Sequence, residues 1–372
     1  MPFRRRDTTN VQVRPRRGAA RRVCDEAAHA LYGDGMRRFL SALFALSTSL
    51  LLGCGRDERQ TVVLYTSLNE PTARAVIDVF EKETGIHVEL QADTERDKTV
   101  GLVQLLIEEK GRPRADVFWN SEAANTVRLQ RHGVLERLDP APAGSDRIPA
   151  RYRDADGWWF GFAARARVLI VNTELVPASQ RPTSIWDLID PKWKGKAGFV
   201  RPVTGTTLTH VTALFERIGE AETERFLAGV IANECHLPAG NGRLAQLVGS
   251  GEIAFGLTDS SDYRLVRNEG KPVDAILPDQ DGIGTLLIPN TVARVRGGPN
   301  PESARKLIEF LLSDRAEEIL AFHPRGHIPL KPGVERPPEV QTPGEFVAME
   351  VDLTRVGLLV EQRLAELNQR FR

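Results

Sequence analysis

The chain has 372 residues, with 50 basic and 50 acidic side chains and a formal net charge of zero. That balance argues against an extended nucleic-acid surface, which needs a strongly basic face. A hydrophobic fraction of 41% is ordinary for a globular protein and sufficient for a sizeable core.

Residues 1–35 are rich in arginine (Arg4, Arg5, Arg6, Arg14, Arg16, Arg17, Arg21 and Arg22 among them) and show no apolar periodicity. They read as a mis-assigned start ahead of Met36, or as a disordered basic extension. Residues 36–53 follow a different plan. Two arginines precede an apolar run broken only by serine and threonine, and the run ends in Leu51-Leu52-Gly53-Cys54. An apolar run of about 14 residues is too short to span a bilayer, which needs roughly 20. A charged start, a short apolar middle, a small residue and a cysteine mark a bacterial lipoprotein signal. Cys54 is then the lipidated first residue of the mature chain, and residues 54–60 form a polar tether. This places the remaining residues outside the cytoplasm, in the periplasm or at the cell surface, held to a membrane. Cys24 would be lost and Cys54 lipidated, so Cys235 has no partner for a disulfide. It is expected as a small buried hydrophobe.

From residue 61 the pattern alternates between short apolar runs and amphipathic helices. Strands are expected at 62–65, 88–90 and 116–119. Helices are expected from Asn69 or Glu70 to Gly85, with Pro71 in the first turn, and at 98–109 and 121–131. Strand 167–171 follows the aromatic segment Trp158-Trp159-Phe160, and Ser184 caps a short helix before Pro191. Strand 197–200 then leads to helices from Thr206, at 222–232 and at 243–248. Strand 253–257 precedes a helix capped by Asp262 and running to Glu269. Strands at 275–277 and 285–288, an amphipathic helix at 301–312 and a last helix at 347–370 complete the chain. Strands alternating with helices imply parallel βαβ units and an α/β sheet.

In open α/β sheets ligands sit beyond the carboxyl ends of strands. The segments at such places hold Tyr65, Ser67 and Asn69; Asn120 and Glu122; Thr204, Gly205, Thr206 and Thr207; and Asp259, Ser260, Ser261, Asp262 and Tyr263. The Thr204 turn opens a helix. Its free N–H groups, hydroxyls and helix dipole suit an anion, although an ordinary capped helix start has the same composition. Asp262 serves as the helix cap and Asp259 faces the ligand, so Asp259→Ala should weaken binding without unfolding the protein. Arg165 and Arg167 alternate on one face of an extended segment. They suit a carboxylate or phosphate, or equally salt bridges within the fold. Among the histidines, Pro324 and Gly326 argue against a metal-binding helix at His323 and His327, and His210 reads as structural.

The chain resembles the bacterial extracellular solute-binding proteins of family 1, in the branch associated with ferric iron and phosphonate-type anions. The likeness rests on Val63-Leu64-Tyr65-Thr66-Ser67-Leu68, on residues 80–88, and on Ala115-Asp116-Val117-Phe118-Trp119-Asn120-Ser121-Glu122. It continues through residues 165–168, Gly256-Leu257-Thr258-Asp259-Ser260-Ser261-Asp262 and residues 284–290. It implies a two-lobed type II periplasmic-binding fold with an interlobe cleft. The lobes would be 61–165 with 277–335, and 166–276, followed by a C-terminal loop and helix at 336–372. The chain would cross between lobes near 164–172 and 271–279.

The resemblance further implies capture of a small ligand by lobe closure and delivery to an ABC permease with its ATPase subunits. The protein would then have no catalytic residues, no resident cofactor and no nucleic-acid partner. Ferric iron, with a bound anion, is the leading ligand. Tyr65, Glu122 and Asp259 are its candidate donors, because phenolate and carboxylate oxygens are hard. Iron-binding relatives often use adjacent tyrosines, and no Tyr-Tyr pair exists here. A phosphonate, phosphate ester or other small organic anion is therefore the alternative. A secreted hydrolase is disfavoured, because no G-x-S-x-G, H-E-x-x-H or Walker motif is present. A captor that presents its ligand to a sensory receptor has the same sequence signature as a transport protein.

Overall fold

The computed structural model describes residues 60–92 and 100–371. The basic extension, the lipoprotein signal and Cys54 lie outside the described residues. All described residues fall within one compact unit, 59–372.

The first half of the fold is built on β1 (Thr61–Thr66), whose β-branched and aromatic side chains suit a pleated, buried surface. It lies parallel to β2 (His87–Ala92) on one side and β3 (Val117–Asn120) on the other. Between β1 and β2 runs α1 (Glu70–Thr84), with proline in its first turn and Val76, Ile77 and Phe80 buried. Gly85 ends it in the left-handed conformation, φ 71°, a position where a side chain would be strained. α2 (Val100–Glu108) and α3 (Ala124–Arg131) flank β3, and β4 (Leu135–Glu136) follows.

The sequence pattern at 167–171 turns out to be the end of a much longer element. β5 (Phe160–Asn172) has 13 residues, all buried, and takes in the end of the aromatic segment. Its first part is antiparallel to β9 (Leu287–Val295), with Phe160 opposite Val292. Its second part is antiparallel to β7 (Phe255–Asp259) on one side and β8 (Val273–Ile276) on the other. One strand thus belongs to both halves. The chain returns between β8 and β9, through residues 277–286. β6 (Ala197–Phe199) joins β7 in parallel, and the strand order is β2-β1-β3-β9-β5-β7-β6.

The register of β5 shifts between Phe162 and Arg165. Ala163 sits there with φ 43°, a conformation costing an alanine about 1–2 kcal/mol. The buried Glu317 accepts from Ala163 N–H at 2.8 Å and Leu330 N–H at 2.9 Å. A bulge of this kind re-aims the side chains beyond it, and Arg165 and Arg167 are the residues it re-aims.

The second half carries α4 (Gly205–Arg217), α5 (Gly219–Ala232), α6 (Asn241–Gly249) and α7 (Ser260–Asn268). The first half is completed by α8 (Pro301–Leu311) and α9 (Asp314–Phe322). The pattern at 301–312 did not reveal α9. Leu312 and Ser313 alone separate the two helices, and Ser313 Oγ caps α9 by accepting from Ala316 N–H. The last helix, α10 (Leu353–Arg370), starts later than residue 347, because Asp352 caps it at Thr354 and Arg355 N–H. α10 packs on both α3 and α4. Glu361 pairs with Arg128 and Arg131 in the first half, while Arg363 pairs with Glu220 in the second.

Candidate ligand site

The candidate site lies where β5 passes between the halves. Arg167 is fully buried. Its Nη1 donates to Asp259 Oδ1 at 2.7 Å, to Asn241 Oδ1 at 2.9 Å and to Thr206 Oγ1 at 3.2 Å. Its Nη2 reaches Thr207 Oγ1 at 3.3 Å, and its Nε faces His210 Nδ1 at 3.5 Å. Arg165 approaches the other oxygen of Asp259 at 3.5 Å and donates to the carbonyl of Ser121. Thr206 Oγ1 completes the Asp259 shell at 2.9 Å.

Burial by itself would raise the Asp259 carboxyl. The Arg167 and Arg165 guanidiniums outweigh it and hold the group below the ordinary carboxylate range. His210 moves the other way from a charged state. Burial and the neighbouring Arg167 push it down to about 3, so the ring is neutral. The Arg167 Nε–H can only donate, so Nδ1 accepts and the ring hydrogen sits on Nε2. Among the described residues, His210 Nε2 and Arg165 Nε are both buried without a hydrogen-bond partner. They are two unspent donors at one site.

The Thr204 turn opens α4, as expected for a helix start. Thr204 stands at the N-cap of α4 with extended backbone, and among the described residues its side chain makes no capping hydrogen bond. Gly205 has φ 60°, which brings the first turn against Arg167 through Thr206 and Thr207. On the opposing wall, Ser67 Oγ donates to Asn120 Oδ1 at 2.6 Å, and Asn120 Nδ2 donates to Glu122. Glu122 caps α3, accepting from Ala124 and Asn125 N–H. It also accepts from Thr209 Oγ1 of α4 at 3.1 Å, so the two halves touch directly.

The other sequence-derived candidates lie differently. Tyr65 Oη donates to Glu109 at 3.2 Å, and Asn69 holds the start of α1 through its backbone carbonyl. Asp262 is in the first turn of α7 rather than at its cap. Asp259 holds the N-cap position but gives its carboxylate to Arg167 and Thr206. Asp262 pairs with Arg325 at 3.1 Å. Ser261 is buried at the start of α7, and Ser260 Oγ accepts from Ala166 N–H. Tyr263 accepts from Arg267, away from the Arg167 network. The candidate metal donors Tyr65, Glu122 and Asp259 therefore each hold a separate set of partners. Sequence reasoning missed Asn241 and set His210 aside. The Gly240-Asn241-Gly242 stretch that opens the apolar helix α6 was the available signal for Asn241.

A family model described as "bacterial extracellular solute-binding protein" matches residues 75–348, which include nearly all of these residues. The chain belongs to that family. This solute-binding protein is 30% identical over 331 residues to iron uptake protein A1 of Synechocystis, covering 84% of this chain and 90% of the relative. Its fold matches iron-bound HitA from Pseudomonas aeruginosa with TM-score 0.76 and 25% identity, over 84% of this chain and 99% of the other. The Trichodesmium protein solved with iron and citrate ligands matches with TM-score 0.72 and 26% identity, over 84% and 100%. The two-lobed α/β architecture expected from the sequence is the one these structures share.

Proposed function

We propose that this protein captures ferric iron together with a small oxyanion outside the cytoplasm. It then passes the cargo to an ATP-driven permease and performs no catalysis. The observation that carries this reading is the pair of unspent donors, Arg165 Nε and His210 Nε2, beside the uncapped N-terminus of α4. Anion oxygens satisfy such donors. Fe(III) is a hard cation that prefers oxygen ligands. An oxyanion such as citrate supplies several. Glu122, Tyr65 and Asp259 would each join only by leaving present partners, Glu122 those of the α3 cap and Thr209. The similarity to an iron uptake protein and to a protein solved with iron and citrate supports the same ligand.

Closure around the cargo would draw on contacts from both halves. A lipid on Cys54 would hold the protein near its permease and raise the effective concentration of cargo there. In that role Cys54→Ser should move the protein from the membrane fraction to the soluble one.

A second reading keeps the cleft but drops the iron, leaving a phosphonate, phosphate ester or similar organic anion as ligand. It is favoured because, among the described residues, no three His, Cys, Asp or Glu side chains converge as a metal site would require. Thermal unfolding of the full chain separates the two, since a ligand of the native state raises the melting temperature by mass action. Ferric citrate should raise it more than citrate alone, and without a phenolate-to-iron charge-transfer colour. If 2-aminoethylphosphonate raises it and ferric citrate does not, the second reading replaces the first. If neither does, both fail.

A further inference from the structure

A cavity of about 470 Å³ lies on the other face of β5. Strand alternation separates it from the cleft: Arg165 and Arg167 point to Asp259, while Ala166 and Val168 line the cavity. Its volume falls within the range of small-molecule sites, about 300–1,000 Å³. One wall is apolar, from Val168, Leu277 and Phe346. The facing wall is one side of α7, with Tyr263, Arg264 and Arg267, whose spacing sets them together.

Two bases and two acids meet here, and only Arg264 is more buried than its acid, since Arg267 is 58% exposed and Asp274 39%. The Arg264 side chain is 15% exposed, while its partner Glu339 at 3.0 Å is 62% exposed. Arg267 Nη1 donates to Tyr263 Oη at 2.7 Å and faces Asp274 at 3.5 Å. The tyrosine oxygen accepts that bond, so its own hydrogen is free to donate. Among the described residues, Arg264 Nε is buried without a hydrogen-bond partner. Arg264 packs closely over Gly326. The glycine has φ 55°, and a Cβ there would come within 2.2 Å of Arg264 Nε. Gly326 and Glu339 belong to the segment that follows α9 of the first half, whereas α7 and β8 belong to the second.

We infer that this cavity is a second ligand site, for a small organic carboxylate with an apolar body. The carboxylate sits on Arg264, Arg267 and the Tyr263 hydroxyl, and the apolar body lies on Val168, Leu277 and Phe346. The inference does not rest on the iron reading of the cleft.

The test is titration calorimetry of the full chain with phenylacetate as probe. Saturable binding of one molecule per chain is expected, and the neutral isostere phenylacetamide should not bind. Arg267 is 58% exposed, so Arg267→Gln leaves the fold in place and should weaken binding about tenfold. Glu339→Gln releases Arg264 and should tighten it. Saturating citrate should not displace the probe. Absence of saturable binding, unchanged affinity in Arg267→Gln, unchanged or weaker affinity in Glu339→Gln, or displacement by citrate would each overturn the inference. None of these outcomes depends on whether the cleft takes ferric citrate.

Discussion

Asp259→Asn is the substitution that most directly probes the buried network. From the sequence alone, replacing Asp259 should weaken binding and spare the fold, but the structure changes that expectation. Asp259 is 3% exposed and is the carboxylate partner of Arg167, which is 0% exposed. Asparagine keeps the shape and can still accept from Thr206, so the change removes charge rather than volume. Asn241, Thr206 and Thr207 still accept from Arg167, but none of them is charged. Removing one partner of a buried ion pair costs about 3–5 kcal/mol, because the other charge is stranded. Stabilities of single domains run from about 5 to 15 kcal/mol, so the loss should be large. Urea unfolding at pH 7, followed by tryptophan fluorescence, reads it as a lower midpoint at constant m. At that pH Asp259 is ionised. Its depressed pKa contributes stability that is present above about pH 4 and is lost as pH falls through the folded value. The double variant Arg167→Met with Asp259→Leu removes the charge stranded at Arg167 but leaves Arg165 without its carboxylate, so it should recover part of the loss. A cost below about 1 kcal/mol for Asp259→Asn, or a double variant whose loss equals the sum of Arg167→Met and Asp259→Leu measured singly, would refute the reasoning.

Two further expectations follow from the same framework. His210 stays neutral in the folded protein down to about pH 3, whereas the unfolded chain takes up its proton near 6.5. The unfolded state thus binds more protons between these limits. Stability falls as pH drops, by about 1.4 kcal/mol per unit from this one group. His210→Gln should flatten the acid limb of a stability–pH curve by one proton, and an unchanged slope would refute the assignment. Gly357 lies where α10 crosses α3, and a Cβ there would come within 2.5 Å of Val127. Gly357→Ala should cost about 1–3 kcal/mol through overpacking. A melting temperature equal to that of the parent protein would show that the helices separate freely.

Much of this protein was legible before any coordinates. β1 and α1 were readable because their apolar spacing, proline start and glycine stop act within a few residues. The Thr204 turn was readable as a helix start because its glycine and hydroxyls are contiguous. The family likeness was readable because its motifs occur in order along the chain. Export and lipidation at Cys54 remain a reading of sequence.

Tertiary structure decided the rest. Arg167 and Asp259 are 92 residues apart, and no local pattern states that one will neutralise the other. β5 reads as five residues by periodicity but extends to 13, because neighbours from both halves satisfy its backbone. Ser260 and Tyr263 share a polar loop with Asp259 in the sequence. One turn of α7 points them across β5 to a different cavity. Local propensity fixes what a segment is, whereas long-range pairing fixes what its side chains face. The function depends on the second as much as the first.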